Sequence, residues 1–355
     1  MEDYPQHSNP EERSKHLNPN LRRRSPRSLR PEDYLRGIRS GDRPMLSRAI
    51  TLIESTHPEH RELAQEIIEA CLQLPPTSTV RIGITGAPGV GKSTFIDSFG
   101  QYLLEQGRRP AVLAIDPSSR ISGGSILGDK TRMETLSRDP RVFIRPSPAG
   151  ESLGGVAQKT RESILLCETA GFDTIIVETV GVGQSETTVR ALVDIFLLLL
   201  QPGAGDELQG IKRGIMEMAD LLAVNKSEGE AGEAARQTQR AYQNAVHLLA
   251  PQTSGWAVKV LRCSALTREG LAELWQLMTD FCTFTRENGF WERNRREQAR
   301  HWLHQSLTDH LQQLFYQHPA VQKEIPLLEE AVSSGRLSPF RAAQQLIRLF
   351  IEPKP

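Results

Sequence analysis

The chain has 355 residues, and its 43 Lys and Arg residues balance 43 Asp and Glu residues, so the formal net charge is zero. This balance excludes a uniformly basic protein that coats nucleic acid and a uniformly acidic, solvated chain. The length predicts one large domain with appendages. The four cysteines are far apart and form no Cys-x-x-Cys pair. They are therefore predicted to be reduced thiols rather than a disulfide framework or a zinc ribbon.

The N-terminal residues 1–30 are rich in Arg, Pro, Ser and Asn and hold seven basic residues against four acidic ones. Because apolar residues are almost absent, this segment cannot bury enough surface to offset its ordering entropy. A disordered basic tail is predicted, with contact to a phosphate or a partner as the alternative. The segment has no apolar signal sequence, and no apolar run approaches the roughly 20 residues of a membrane span. We expect a cytoplasmic protein without membrane or nucleic-acid partners.

Helical periodicity marks both flanks of the remaining chain. Apolar residues recur at three-to-four spacing over residues 31–76, and the pattern ends at a Pro-Pro pair. Residues 284–355 carry no strand signal but contain leucines at helical spacing and a Ser-Pro pair typical of a helix start. These leucines and that pair are Leu303, Leu307, Leu311, Leu314 and Ser338-Pro339.

Short runs rich in Val, Ile and Leu alternate with helical stretches over residues 77–283. The runs are 80–85, 111–116, 142–145, 174–178, 193–200, 221–225 and 258–261. Nearly continuous apolar runs are typical of strands covered on both faces, as in parallel sheets. An α/β fold with a mostly parallel sheet between helices is therefore predicted for this segment, with helical extensions on either side.

A complete G-x-x-x-x-G-K-S/T pattern follows the first apolar run and precedes a helical stretch, which is the context of a phosphate-binding P-loop. Glycines let the backbone N–H groups turn toward the phosphates, and the helix N-terminus favours the anion. The lysine would contact the β- and γ-phosphates and the serine would bind Mg²⁺. The residues are Gly86, Ala87, Pro88, Gly89, Val90, Gly91, Lys92, Ser93 and Thr94.

Acidic residues follow three of the predicted strands or loops. Glu178 ends an apolar run, and Gly181 follows it at the position from which a backbone N–H senses the γ-phosphate. Ordinary GTPases have Asp-x-x-Gly here, whereas this chain has Glu. Asp116 follows another apolar run, and Asp129 lies in a polar, glycine-rich stretch typical of a nucleotide-sensing switch. Together with Ser93, these three acids are predicted to organise Mg²⁺.

The sequence Asn225-Lys226-Ser227-Glu228 follows the sixth apolar run. GTPases read guanine with Asn-Lys-x-Asp, whose carboxylate accepts hydrogen bonds from the base. Glu228 carries the same group one methylene further out, and adenine would leave it without those bonds at a cost of about 1.5–3 kcal/mol. After the last strand, Ser264-Ala265-Leu266 matches the loop whose backbone contacts the guanine carbonyl. GTP and GDP are therefore the predicted nucleotides.

These stretches resemble the methylmalonyl-CoA mutase-associated GTPase chaperones, the MeaB/ArgK group, which has a human relative in the methylmalonic aciduria type A protein. The similarity extends from about residue 35 to residue 350 and includes 116–133, 178–186 (ETVGVGQSE) and 205–214 (GDELQGIKRG). Two features depart from the family pattern. Glu228 stands in place of Asp, and residues 1–30 have no counterpart.

The resemblance implies a GTP-hydrolysing chaperone that binds an adenosylcobalamin-dependent methylmalonyl-CoA mutase or a related acyl-CoA mutase. It would gate cofactor loading and protect or reactivate the mutase. The resemblance also implies a homodimer formed through the C-terminal helices, and switches at 116–130, 181–186 and 202–212. Hydrolysis is expected to be slow without the partner. Lys92 and Glu178 would act in it, with Gln184 as a candidate to position the attacking water.

Two other functions remain open from the sequence. A P-loop kinase would need an acceptor pocket and a base near the γ-phosphate, and the sequence shows no signature of either. A nickel or cobalt metallochaperone would need a Cys/His cluster, but the cysteines and histidines are dispersed. Arg145 and Lys212 are candidates for stabilising phosphate charge, or are surface cations.

Overall fold

A seven-stranded parallel sheet forms the centre of the chain. The computed structural model describes residues 29–115, 133–146, 153–179, 185–203 and 213–351. The strand order is β3-β2-β4-β1-β5-β6-β7, and every pair is parallel. The strands are β1 (Val80–Gly86), β2 (Pro110–Ile115), β3 (Phe143–Pro146), β4 (Thr174–Thr179), β5 (Ile195–Leu200), β6 (Leu221–Val224) and β7 (Lys259–Arg262).

Helices precede, cover and follow this sheet. In chain order they are α1 (Pro31–Arg39), α2 (Arg43–Glu54), α3 (Pro58–Leu72), α4 (Lys92–Glu105), α5 (Glu134–Ser137), α6 (Leu153–Thr169), α7 (Ser185–Arg190), α8 (Arg213–Met218), α9 (Gly232–His247), α10 (Leu271–Glu287), α11 (Phe290–Gln317), α12 (Pro319–Ser333) and α13 (Pro339–Ile351). Among the described helices, none is both long and apolar enough to cross a membrane.

The sequence pattern explains the central strands. All residues of β4, β5 and β6 are buried, which agrees with runs of Val, Ile and Leu that face helices on both sides. The predicted α/β fold is confirmed, and each of the seven predicted strands is present with small shifts at its ends. The largest shift is at β5, which begins at Ile195 and not at 193. Val193 and Asp194 belong instead to the connection from α7.

The three N-terminal helices pack on the same core as one face of the sheet. Ile38, Ile50 and Ile67, one from each helix, are almost completely buried together with Val177 of β4. The N-terminus of α2 is capped by Asp42, whose carboxylate accepts a hydrogen bond from the Met45 backbone N–H at 3.0 Å. The predicted tail lies outside the described residues except at its last two positions.

The C-terminal helices differ in how they contact the sheet. Helix α10 packs on the face covered by α4, where Phe95, Phe99 and Phe281 are buried. It continues past the predicted boundary at residue 283 and ends at Glu287. Helix α11 begins against the core, where Trp302 is buried, but its later leucines are exposed. Helix α13 begins at Pro339, as the Ser-Pro pair predicts.

Candidate functional site

The loop between β1 and α4 lies at the carboxyl edge of the sheet, where ligands of open α/β folds bind. Gly91 has a φ of 92°, a left-handed conformation that favours glycine, and α4 starts at the next residue. A Cβ atom on Gly86 would lie 2.6 Å from the Leu199 carbonyl oxygen, so only glycine fits between β1 and β5. The glycines of the predicted P-loop therefore have positions that require them.

The Lys92 side chain folds back over this loop. Its Nζ donates hydrogen bonds to the carbonyl oxygens of Gly86 at 2.8 Å and Ala87 at 3.4 Å. Burial lowers the pKa of Lys92, while the nearby charges of Glu178 and Glu186 act in the opposite direction. The ammonium group is thus held over the loop by two carbonyl oxygens, where the charges of both carboxylates act on it and an anion bound in the loop would meet it.

Ser93 and Glu178 meet across the site. The β1–β4 register places Glu178 beside Ile84, and the Ser93 hydroxyl donates to Glu178 Oε1 at 3.3 Å. Hydroxyl and carboxylate oxygens are ligands that Mg²⁺ accepts, so these two residues fit the predicted metal. No group of three or more metal-binding side chains occurs among the described residues. The other predicted contributors, Asp116, Asp129, Gly181 and Gln184, lie outside them.

Asn225 joins the two halves of the predicted nucleotide site. Its buried side chain donates from Nδ2 to the Val90 carbonyl at 3.0 Å and accepts at Oδ1 from the Ala265 backbone N–H at 3.0 Å. The Lys226 ammonium donates to the Gly89 carbonyl at 2.7 Å. The Asn-Lys pair is therefore hydrogen-bonded both to the P-loop and to the loop that contains Ala265.

Glu228 has a buried carboxylate oxygen without a partner. Its Oε2 makes no hydrogen bond within the described part of the chain. A buried acceptor without a hydrogen bond costs free energy, because it has lost its bonds to water. A purine that offers two adjacent N–H groups would supply the missing bond. The loop after β7 is ordered by the Ser264 hydroxyl, which accepts from the Thr267 backbone N–H at 2.9 Å, while Leu266 is exposed. The observed arrangement fits guanine despite the longer side chain.

Arg145 lies away from the phosphate cradle. It forms a salt bridge with Glu54 of α2, and the Lys159 ammonium donates to the carbonyl oxygen of the same glutamate at 2.9 Å. The hypothesis that Arg145 stabilises phosphate charge is therefore not supported, because its guanidinium binds α2 and holds this helix against β3. Lys212 lies outside the described residues.

Sequence analysis identified Glu186 only as the last residue of the predicted switch 181–186 and gave it no role in the site. In the structure its side chain is buried, with 2% of its surface exposed. It lies in the first turn of α7, and its charge acts on Lys92. A second glutamate eight residues after Glu178 was the signal available in the sequence. That Glu186 is buried near the P-loop becomes evident only from the packing of α7 on β1 and β4.

Comparison with known proteins decides the family. The sequence profile of the "Methylmalonyl Co-A mutase-associated GTPase MeaB" family matches residues 46–320. The chain belongs to the MeaB family. It is similar to the methylmalonic aciduria type A homolog, mitochondrial, of Mus musculus, with 48% identity over 88% of this chain and 78% of the mouse protein. It is 42% identical to GTPase ArgK of Escherichia coli K12 over 88% of this chain and 95% of that protein.

The same family assignment explains the fold. A crystal structure named LAO/AO transport system kinase matches this MeaB-family chain with a TM-score of 0.71 and 36% identity, over 90% of this chain and 97% of that one. Relatives named GTPase and this P-loop neighbour agree that the chain is a GTPase. The chain is thus a GTPase of the MeaB family with a P-loop between β1 and α4.

Proposed function

We propose that this chain is a GTP-hydrolysing chaperone for an adenosylcobalamin-dependent methylmalonyl-CoA mutase or a related acyl-CoA mutase. It would gate cofactor loading and protect or reactivate that enzyme. The observation that carries the proposal is the family match, which covers the complete described sheet and names a mutase association. The word "mitochondrial" belongs to the mouse relative. The cytoplasmic location of this chain stays a prediction.

The site geometry supports guanine nucleotides as the substrate. Lys92 would exchange its bonds with the neutral loop carbonyls for bonds to phosphate oxygens, since a bond between two charged groups is stronger. Glu228 would accept from the guanine N–H groups through its buried oxygen. The Ala265 backbone N–H donates to Asn225, and in the proposed complex this backbone would lie beside the base. Together these residues would bind and orient GTP.

Ser93 and Glu178 would hold Mg²⁺ and its waters, together with the predicted Asp116 and Asp129. The bound ion would neutralise charge that develops on the phosphates. Glu178 is fixed by its strand neighbour, and its hydrogen bond to Ser93 keeps both oxygens on one side of the P-loop. Gln184 remains our candidate for positioning the attacking water.

We further propose that two copies associate through α11, α12 and α13. The second half of α11 exposes Leu303, Leu307, Leu311 and Leu314, each roughly half exposed or more. Helix α13 exposes Phe340, Ile347 and Ile351 on one face. Exposed apolar faces of this extent are typical of interfaces. Sedimentation of the purified chain and of Leu307→Glu tests the homodimer, which the charged substitution should dissociate.

The mutase test uses purified full-length protein and a purified adenosylcobalamin-dependent mutase. We expect the two proteins to co-elute. We also expect the GTP turnover rate to rise when the mutase is added, because hydrolysis by the chain alone is expected to be slow and the partner would complete the catalytic site. No co-elution together with an unchanged rate would contradict the chaperone function while leaving the GTPase assignment intact. Transfer of labelled phosphate from GTP to the mutase or to a metabolite, instead of release as phosphate, would favour the kinase alternative.

A further inference from the structure

The short helix α7 has one end at the nucleotide site and the other at the opposite edge of the sheet. Its first turn buries Glu186, whose charge acts on the P-loop lysine Lys92. A helix of six residues spans about 9 Å at 1.5 Å per residue. It ends at Arg190, and residues 191–194 then lead into the amino end of β5. Any nucleotide-dependent shift of α7 therefore has to be accommodated by residues 191–194.

Helix α11 holds that segment with three side chains. Trp302 Nε1 donates to the Ala191 carbonyl at 3.0 Å, and Gln298 Nε2 donates to the Val193 carbonyl at 2.8 Å. Arg295 forms a bidentate pair with Asp194, with distances of 2.8 and 2.7 Å. Positions 295, 298 and 302 are three and four residues apart, so they share one face of α11. This face contacts consecutive parts of the connection between α7 and β5.

The body of α7 is also closely packed. A Cβ atom on Gly83 of β1 would lie 2.9 Å from a methyl group of Val189 and 3.0 Å from Val193. Arg190 pairs with the buried Asp220 at 3.1 Å. Because close-packed elements do not deform continuously, α7 and its connection are expected to move as a unit. The partner that must move with them is α11.

We infer that α7 couples the nucleotide site to α11 and the helices beyond it, with Gln298 and Trp302 as the positioning residues of this coupling. Nucleotide exchange at the P-loop shifts α7, and the two side chains transmit the shift to a rigid helix of 28 residues. Coupling between sites is reciprocal, so whatever binds the C-terminal helices also changes nucleotide affinity. The inference requires GTP binding but does not depend on the mutase partner.

The test compares hydrogen exchange of the full chain bound to GDP and to a non-hydrolysable GTP analogue. We expect exchange within residues 290–317 to differ between the two nucleotides in the unaltered protein. In Gln298→Met and in Trp302→Phe the difference should fall at least about twofold. Gln305→Met is the matched control, because Gln305 lies on the same helix and its amide donates to Asp309 of that helix. It should retain the full difference.

Two further measurements accompany hydrogen exchange, the GDP affinity and the thermal unfolding of the variants. GDP affinity of both variants should stay within about twofold of the unaltered protein, since in the described part of the chain the side chains of both residues bond to the connection between α7 and β5 and not to the P-loop. Thermal unfolding must show that each variant is folded. Trp302→Phe keeps an aromatic ring at the buried position, so it still tests the inference if Gln298→Met does not fold. The inference is overturned if the unaltered protein shows no nucleotide-dependent difference in α11, or if both variants retain the same difference as Gln305→Met.

Discussion

The two edges of the sheet use charge in opposite ways. At the carboxyl edge, Lys92 bonds to carbonyls of its own loop, and Glu228 keeps a buried oxygen without a partner in the described chain. At the amino edge, charged side chains pair with one another. Arg81 contacts Glu168 through two bonds of 2.8 and 3.0 Å, and Arg295 contacts Asp194 in the same bidentate way.

This difference shows that charged residues at one edge of the sheet serve ligand binding, whereas those at the other edge serve stability. A group that is to bind a ligand has to keep hydrogen-bonding capacity available, whereas a buried structural charge is tolerable only when it is paired. The carboxyl edge therefore gives up stability for binding. The amino edge fixes the termini of β1, β5 and β6 and the start of α11, and substitutions at the two edges should have separable effects.

The largest expected effect is at the amino edge, on stability. Arg295→Met should lower the free energy of unfolding by about 3–5 kcal/mol, because it leaves Asp194 buried without its guanidinium partner. Denaturant unfolding measures the change. Arg268→Met is the control, since its salt bridge with Glu105 lies at the surface, where such pairs contribute little. Equal losses in the two variants would contradict the distinction between the edges.

The next effect is at the carboxyl edge, on activity. Lys92→Ala should reduce GTP turnover by about 10²- to 10³-fold, as expected for the loss of one charged group that stabilises transition-state charge. Unfolding should change little, because the unfavourable burial of the Lys92 ammonium, which lowers its pKa, opposes the gain from its two bonds to loop carbonyls. Lys159→Ala, which removes a bond to the Glu54 carbonyl, is the control with normal turnover. Full activity of the Lys92→Ala protein would contradict a role of the P-loop lysine in GTP hydrolysis.

A smaller change is expected in nucleotide preference. Glu228→Gln should weaken GTP binding by about 1.5–3 kcal/mol and leave ATP binding unchanged, because only guanine uses the full carboxylate. Competition binding measures both affinities. Glu230→Gln, an exposed glutamate two residues later, should behave as the unaltered protein. Equal weakening of GTP and ATP would show that Glu228 supports the loop and does not read the base.

The smallest effect concerns pH. Burial raises the pKa of the Asp220 carboxyl, opposed by the charge of Arg190 and a hydrogen bond from the Phe196 N–H, while Asp194 adds to the rise. The folded state then binds more protons than the unfolded state above about pH 3.9. Stability contributed by this group therefore falls as pH rises from there through the raised pKa. Asp220→Asn should lose this dependence in denaturant titrations at a series of pH values above about 3.9.

Local patterns made much of the molecule predictable. Continuous apolar runs determined the strands, and a Ser-Pro pair located the start of α13. The P-loop, Glu178, Asn225 and Glu228 were predicted as site residues from motif spacing, because each lies at or just after the carboxyl end of a strand. Their proximity follows from parallel topology, in which those ends share one edge.

Long-range pairing was not predictable. Arg145 was considered for the nucleotide site, yet it pairs with Glu54 from α2, 91 positions earlier in the chain. The hydrogen bond between Trp302 and Ala191 joins residues 111 positions apart, and neither local sequence predicts it. Such contacts depend on how helices are placed on the sheet, and short-range periodicity carries no information about that placement.

The sequence by itself therefore determined the sheet, the nucleotide loops and the family, since these depend on residue type and on spacing along one strand or turn. Only the tertiary structure decided which charges are available for a ligand and which are consumed in pairs. It buried Glu186 where its charge acts on Lys92, and it packed one face of α11 along residues 191–194. The physical reason is that desolvation and partner geometry, and not charge alone, decide what a buried ionic group can do.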